Sequence, residues 1–250
     1  MINMHYTACS LLKITFKSLL TFFAREERED TMPNTEPKLY KLQKKDLVAC
    51  ILRVFAKLVL FSFHRITMEG LEHLPKEGPA LLLPKHCTYG RDVALEAIAL
   101  HRATGRYANF LMRAIASRFY EWAGGIKIAR PKDVRRVPGA RALNRASFEY
   151  IRWLYLQGEV LVAHPEGTRN PYDMGALKMG VIKHLMDVEN EAGRCIPLVP
   201  IGIRYRGYWV PFSRIEVKIG EPVYADDFEN IKHLLSYLRE QISQLSGWVI

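Results

Sequence analysis

Cysteine is scarce in this sequence, and every long apolar run contains charged residues. Only four cysteines occur in 250 residues, and no two of them form a Cys-x-x-Cys pair. Histidines do not cluster beside them at the spacing of a zinc site. The sequence therefore argues against a disulfide framework and against a structural metal site, and it favours a reducing, cytosol-facing location.

Acidic residues are outnumbered by basic ones, which gives a formal net charge of +10. Seven basic residues lie between Lys127 and Arg145, where Asp133 is the only acid. Such a balance favours phosphorylated ligands, an anionic membrane surface or nucleic acid as partners, although a solvated basic surface explains the run equally well. Because no aromatic-rich RNA motif or recognition helix accompanies these residues, we expect no nucleic-acid partner.

Composition divides the chain into three parts. Residues 1–38 are a basic, apolar stretch, then a charged run and a linker with prolines, without the small-residue cleavage site of a signal peptide. Residues 39–64 contain an apolar, helix-like segment. Residues 65–250 are predicted to form one α/β domain, for which the length is sufficient.

The apolar run Leu47–Phe63 is interrupted by Arg53 and Lys57, which lie four residues apart and therefore share one face of a helix. A membrane-spanning helix needs about 20 mostly apolar residues, and two central cations would be costly within it. We therefore expect an amphipathic helix in the membrane interface, with an ordinary helix packed on the domain as the alternative.

Strand-like and helix-like segments alternate from Gly70 onward. The predicted strands are Ala80–Leu83, Gly125–Ala129, Val160–Ala163, Ile196–Ile203 and Ile215–Ile219. The predicted helices are Val93–Leu100, Ala140–Gln157, Ala176–Val188 and Asn230–Ser246. This alternation is typical of a mostly parallel, buried sheet covered by helices, so the fold class expected is α/β.

His86 follows the first predicted strand, and Asp92 opens the helix after it. A carboxylate in that place can hold one imidazole nitrogen protonated, which leaves the other nitrogen able to take a proton from a hydroxyl group. In α/β sheets, ligands bind beyond the carboxyl ends of the strands. The pair is thus a candidate base with its orienting acid, and a helix cap at Asp92 is the structural alternative.

The second motif, Pro165-Glu166-Gly167-Thr168-Arg169, comes directly after the predicted strand Val160–Ala163 and His164. Gly167 allows a tight turn, and Arg169 is suited to a bidentate contact with phosphate. An ion pair between Glu166 and Arg169 in a surface turn is the structural alternative.

These motifs resemble those of the glycerolipid acyltransferase family, the group that contains bacterial 1-acyl-glycerol-3-phosphate acyltransferases. The family's four blocks are matched in order, over roughly residues 65–225, by His86–Asp92, Gly125–Arg130, Pro165–Arg169 and Ile196–Ile201. Leu177-Lys178-Met179-Gly180 is similar to the family's Phe-Lys-x-Gly. The Pro-Glu-Gly-Thr-Arg block is the most specific of the set.

The sequence departs from the family pattern at two places. Five residues separate His86 from Asp92, where the family has four, so a bulge or a wider turn is needed for the side chains to meet. His164 stands where the family has Phe before its third block. We expect this ring to pack as an aromatic substitute, and contact with a different acceptor head group is the alternative.

The resemblance implies an O-acyltransferase of phospholipid biosynthesis with His86 and Asp92 as the catalytic pair. The acyl chain would pass directly from acyl-CoA or acyl-ACP to a lysophospholipid or related acceptor, foremost 1-acyl-glycerol-3-phosphate. The implied substrate-binding residues are Arg130, Glu166, Gly167, Thr168, Arg169 and Lys178. No metal and no cofactor besides the acyl donor are implied.

The expected partners are membrane lipids together with acyl-CoA or an acyl carrier protein. The expected location is the cytoplasmic face of a membrane, with peripheral or monotopic attachment. A catalytically degenerate lipid-binding member of the same fold is the alternative, because the longer first block puts the catalytic pair in question.

Overall fold

A computed structural model describes residues 44–88, 90–207, 210 and 212–247 of the chain. The extension predicted for residues 1–38, and the first residues of the segment predicted for 39–64, lie outside the described residues. The helices in these ranges are α1 (Asp46–Phe63), α2 (Arg91–Thr104), α3 (Phe119–Trp122), α4 (Ala140–Leu156), α5 (Gly180–Ala192) and α6 (Ile231–Leu245). The strands are β1 (Arg65–Glu69), β2 (Ala80–Pro84), β3 (Asn109–Arg113), β4 (Gly125–Ile128), β5 (Val160–Val162), β6 (Leu198–Arg206) and β7 (Arg214–Ile219).

The strands form one seven-stranded sheet in the order β1-β7-β6-β2-β5-β3-β4. All neighbouring strands are parallel except β6 and β7, which are antiparallel. At the centre of the sheet, Leu82 of β2 pairs with Val162 of β5 and Val199 of β6. The predicted α/β fold with a mostly parallel sheet is therefore confirmed. Because β2 and β5 are parallel neighbours, the segments that follow them leave the same edge of the sheet side by side.

Successive residues of β2 supply the cores on the two faces of the sheet, as the two-residue period of a strand requires. Leu81 and Leu83 pack in one cluster with buried residues of α4, α5 and α6. Ala80 and Leu82 pack in the other with residues of α1 and α2. Helices on both faces bury the sheet, which explains why β2 and β5 are apolar without alternation.

Helix α1 confirms the helix predicted over this segment, and it exposes an apolar face. Leu60 is the only residue of α1 that is buried. Large apolar side chains are exposed at intervals of three or four positions, at Leu47, Ile51, Val54, Leu58 and Phe61. In the described part of the chain, no helix has both the length and the hydrophobicity to cross a bilayer.

The structure differs from the sequence prediction in β1, β3 and the start of α5. β1 and β3 carry few fully buried residues, so they lack the continuous apolar run by which the other strands were predicted. α5 begins at Gly180, four residues later than predicted. The cause is the Lys178 N–H, which donates to the carbonyl of Pro165 at 2.7 Å and holds the preceding residues in a loop.

Candidate active site

His86 lies just beyond the carboxyl end of β2, and Asp92 lies in the first turn of α2. Nδ1 of His86 is 3.2 Å from Oδ2 of Asp92. Since an ionised carboxylate can only accept, Nδ1 carries the proton and donates, and Nε2 keeps its lone pair. The His86 side chain is 18% exposed, whereas that of Asp92 is fully buried. The extra residue in this block thus does not separate the two groups, which are arranged as a base and its orienting acid.

The loop between the two residues wraps around the Asp92 carboxylate. The N–H groups of Cys87 and Thr88 donate to Oδ2 at 2.7 and 2.6 Å. The Thr88 hydroxyl donates to Oδ1 at 2.9 Å, and the Tyr205 hydroxyl on β6 donates to the same oxygen at 2.7 Å. The longer connection is accommodated because its backbone amides take the carboxylate as their acceptor.

These donors keep Asp92 ionised and fixed in position. Burial alone would raise the pKa of Asp92, but hydrogen bonds, led by those from His86 and the Thr88 N–H, outweigh it and lower the pKa to about 2. The pKa of His86 is lowered, first by burial and then by the charge of His164, while Asp92 acts in the opposite direction. His86 is therefore neutral near neutral pH and able to accept a proton at Nε2.

His164 packs against His86 from the end of the neighbouring strand β5. The ring centroids are 4.0 Å apart, and the ring planes are inclined by 38°. Nε2 of His164 lies 3.1 Å from Oε1 of Glu96, whose side chain on α2 is fully buried. The ring occupies an aromatic position, as expected from the sequence, and it adds an ion pair that the sequence does not predict.

The Glu166 carboxylate faces the protein interior, although the sequence placed it among the substrate-binding groups. Nζ of Lys85 donates to both of its oxygens at 2.8 and 2.9 Å, and both side chains are fully buried. The N–H of Gly175 and the amide of Asn170 donate to Oε2 at 2.9 and 2.5 Å. Glu166 therefore fastens the turn after β5 to the end of β2, beside His86, and orders it from within.

Gly167 and Arg130 meet at the exposed edge of this turn. Gly167 has a φ of +63°, a conformation that favours glycine, as the predicted tight turn requires. The guanidinium of Arg130 donates to the Gly167 carbonyl at 3.2 Å and to Oδ2 of Asp133 at 2.7 Å. The structure thus brings Arg130, which follows β4, to the same turn as the Pro-Glu-Gly-Thr-Arg block.

The remaining predicted substrate-binding residues lie on the same turn or against it. Thr168 is exposed, and Arg169 is half-buried and close enough to His86 for its charge to lower the pKa of that ring. Lys178 is exposed, and its Cγ lies 3.4 Å from where a Cβ on Gly167 would be. The Asn170 N–H donates to the His86 carbonyl at 2.9 Å, which ties these cationic residues to the proposed base.

Sequence reasoning did not identify three groups that complete the site: Lys85, Glu96 and Tyr205. Lys85 reaches the site from the end of β2, Glu96 from α2 and Tyr205 from β6. None of the three belongs to a motif by which the site was predicted. Glu96 lies one turn after Asp92 on α2, so its four-residue spacing was the one available signal.

Potential metal-ligand atoms of His86, Asp92 and His164 lie within 4.8 Å of one another. Both oxygens of Asp92 already accept hydrogen bonds, two from backbone N–H groups and two from hydroxyl groups. The arrangement matches the needs of a hydrogen-bonded acid–base pair, and we assign no metal to it.

Comparison with known proteins adds to this geometry. The model of a family described as Acyltransferase matches residues 65–204, more than half of the chain. The crystal structure of the 1-acyl-sn-glycerophosphate (LPA) acyltransferase PlsC from Thermotoga maritima is similar, with a TM-score of 0.52 and 17% sequence identity over 93% of this chain and 88% of that one. At this identity the likeness concerns the fold. No curated protein matches the chain.

Proposed function

The chain belongs to the acyltransferase family, and on this premise we propose that it moves a fatty acyl group from acyl-CoA or acyl-ACP to the hydroxyl of a lysophospholipid or related acceptor. The contact of 3.2 Å between His86 and Asp92 carries this proposal, because it supplies a neutral imidazole with one nitrogen available as a base. The acceptor that we propose first is 1-acyl-glycerol-3-phosphate.

In the proposed reaction, Nε2 of His86 takes the proton of the acceptor hydroxyl while the hydroxyl oxygen attacks the thioester carbonyl carbon. The ester C–O bond forms, the C–S bond breaks, and the leaving thiolate takes up the proton from His86. Asp92 holds Nδ1–H throughout and stabilises the imidazolium that forms in between. No acyl-enzyme is needed, since both substrates react within one complex.

The cationic residues beside His86 support an acceptor that carries a phosphate. Arg130, Arg169 and Lys178 lie on or against the turn after β5, which is fastened to the His86 carbonyl through Asn170. Guanidinium groups bind phosphate oxygens in a bidentate manner, and a lysine adds a point charge. Such a cluster would hold the phosphate at one end of the acceptor while its hydroxyl reaches His86.

Helix α1 supports attachment to a membrane, peripheral or monotopic. Its exposed apolar stripe from Leu47 to Phe61 is the kind of surface that enters the headgroup region of a bilayer. Lys57 is exposed beside the stripe, where an anionic lipid would attract it. A charge placed in the stripe, as in Leu58→Glu, should reduce sedimentation with liposomes, whereas Lys232→Glu on α6 is a control at an exposed site on another helix.

The proposed activity is tested with purified protein, acyl-CoA and acyl-ACP donors and a panel of acceptors, with products identified by mass spectrometry. His86→Ala should lower turnover by at least about two orders of magnitude, the usual scale for loss of a general base. His233→Ala, at an exposed position of α6, is the matched control. Near-normal turnover by His86→Ala would refute the assignment. Liposome binding by a wild-type protein that consumes no thioester would favour a degenerate lipid-binding role.

The acceptor class is tested with Arg169→Ala. We expect a rise in KM for phosphorylated acceptors and little change for a phosphate-free alcohol, because only the former would contact the guanidinium. Equal loss with both acceptors would assign Arg169 a structural role and leave the acceptor class open.

A further inference from the structure

The His164–Glu96 pair lies beside the proposed base without belonging to the catalytic contact. The His164 ring lies against the His86 ring with 4.0 Å between centroids, and only 10% of its side chain is exposed. Its Nε2 is 3.1 Å from Oε1 of Glu96. Oε2 of Glu96 has no hydrogen-bond partner among the described residues, so His164 is the group on which this buried carboxylate depends.

The charges around His164 favour its protonated form. Three buried carboxylates face it, Asp92 and Glu96 from α2 and Glu166 from its own turn, and Lys85 is the one buried ammonium among them. Burial raises the pKa of Glu96, and the charge and hydrogen bond of His164 oppose that rise, so the ionised carboxylate and the protonated ring stabilise each other. Burial on its own would lower the pKa of His164, but these carboxylates, led by Glu96, raise it.

The other imidazole of the pair, His86, responds in the opposite way. His86 is faced by Asp92, which favours its protonation, and by His164 and Arg169, whose positive charges oppose it. Tyr205 reaches the same cluster through its hydrogen bond to Asp92. Two imidazoles at this distance cannot both hold a proton without strong repulsion, so a proton on His164 leaves His86 neutral.

We propose that His164 is a positioning residue: paired with Glu96, it holds a positively charged imidazole against His86 and so keeps His86 in its proton-accepting form. This inference rests on the proposed function, in which neutral His86 is the base. It gives a role to the histidine that replaces the aromatic residue expected before the Pro-Glu-Gly-Thr-Arg block. The consequence is an enzyme that stays active at lower pH than a version with Phe in that place.

The test follows the charge of each ring directly. Nitrogen-15 spectra of the histidine side chains, recorded across pH and assigned with His86→Ala and His164→Phe, report which imidazoles are protonated. We expect His164 to be charged in the wild-type protein at pH 7. In His164→Phe the protonation midpoint of His86 should rise by about one pH unit, and the acid limb of the kcat/KM profile should move with it.

Two further variants separate charge from packing. Glu96→Gln should raise the His86 midpoint by less than His164→Phe does, since Asp92 and Glu166 still face the imidazole. Glu96→Gln/His164→Phe should give the same His86 midpoint as His164→Phe, because the imidazolium is missing from both proteins. The double variant also avoids leaving the buried Glu96 carboxylate without its partner. His233→Phe, on the exposed face of α6, should leave the midpoint unchanged.

A neutral His164 at pH 7, or an unchanged or lower His86 midpoint in folded His164→Phe, would overturn the inference. These spectra need no substrate, so the result is independent of the proposed activity. If the midpoint shifts as expected while no donor and acceptor pair gives product, the proposed function fails and the charge relationship stands. If transfer depends on His86 while its midpoint does not respond to residue 164, the inference alone fails.

Discussion

The hydroxyl of Tyr205 donates to Oδ1 of Asp92 at 2.7 Å, across 113 residues of sequence. It ties the acid of the candidate pair to β6, while Cys87 and Thr88 hold the same carboxylate from the local loop. The guanidinium carbon of Arg91 lies 5.2 Å from the centroid of the Tyr205 ring, which adds a cation–π contact to that ring. The carboxylate is thus held by groups from two parts of the sheet edge, and its orientation does not depend on the loop alone.

Tyr205→Phe removes this hydrogen bond and keeps the ring. We expect the free energy of unfolding to fall by about 1.5–3 kcal/mol, the usual contribution of a hydrogen bond to a charged group. Turnover should fall by less than the approximately two orders of magnitude expected for loss of the base. Denaturant titration and initial rates measure the two effects, with Tyr237→Phe on the exposed side of α6 as control. An unchanged stability would mean that the Asp92 carboxylate does not use this donor in solution.

Acid should destabilise the protein through Asp92. The pKa of its carboxyl is held at about 2 in the folded state, below the ordinary value of 3.8, so the unfolded chain binds protons more readily. The stabilisation, about 2 kcal/mol, is present above pH 4 and is lost as the pH falls towards 2. Urea unfolding measured between pH 6 and pH 2 should show this slope.

Asp92→Asn is the comparison for that experiment. The variant lacks the titrating group, so its stability should depend less steeply on pH over the same range, whatever its absolute stability. Asp133, whose pKa is also lowered to about 2, first by its hydrogen bond with Arg130, remains in both proteins and contributes equally. Identical slopes for the two proteins would show that Asp92 is not held ionised by its donors.

Cys87→Ala should keep activity close to that of the wild type. The thiol is buried next to His86, and its Sγ lies 3.6 Å from the Ile203 carbonyl. Burial, followed by the charge of Asp92, raises its pKa to about 12, so it is a neutral thiol with little nucleophilicity. Turnover in the acyl-transfer assay, with circular dichroism to establish folding, gives the answer. Loss of turnover in a folded variant would point to an acyl-cysteine intermediate.

The sequence predicted the central strands and the contact between His86 and Asp92 for one physical reason, which is that their signals are local. Ala80–Leu83 and Val160–Ala163 are continuous apolar runs because helices cover both faces of the sheet there. β1, at the edge of the sheet, has no fully buried residue and so gave no such signal. His86 and Asp92 were recognisable because strand end, loop and helix start are consecutive.

The rest of the site depends on contacts that spacing cannot encode. The resemblance placed Glu166 with the substrate-binding residues because it belongs to the same motif as Arg169, whereas the fold turns its carboxylate inward to Lys85. Tyr205 is one of several polar residues near the end of β6, and only the pairing of β6 with β2 brings it to Asp92. Such groups can be identified only once the strand order of the folded sheet is known.

The Lys85–Glu166 pair should be the most costly polar contact to break. Both side chains are fully buried, and Lys85 also donates to the Asp173 carbonyl at 2.5 Å. Lys85→Met leaves a buried carboxylate without its cation, which typically costs about 3–5 kcal/mol. The turn that carries Arg169 should loosen as well. Among the molecules that remain folded, KM for a phosphorylated acceptor should therefore rise.

A double-mutant cycle isolates the pair from the loss of packing. Lys85→Met/Glu166→Gln removes both charges and keeps an amide where the carboxylate accepted from Gly175. We expect its loss of stability to be smaller than the sum of the two single losses, with an interaction energy of about 1–3 kcal/mol by denaturant unfolding. Additive losses would mean that the two groups are solvated separately, and the inward orientation of Glu166 would then have to be abandoned. The turn would in that case present its carboxylate to the acceptor, as the motif alone suggested.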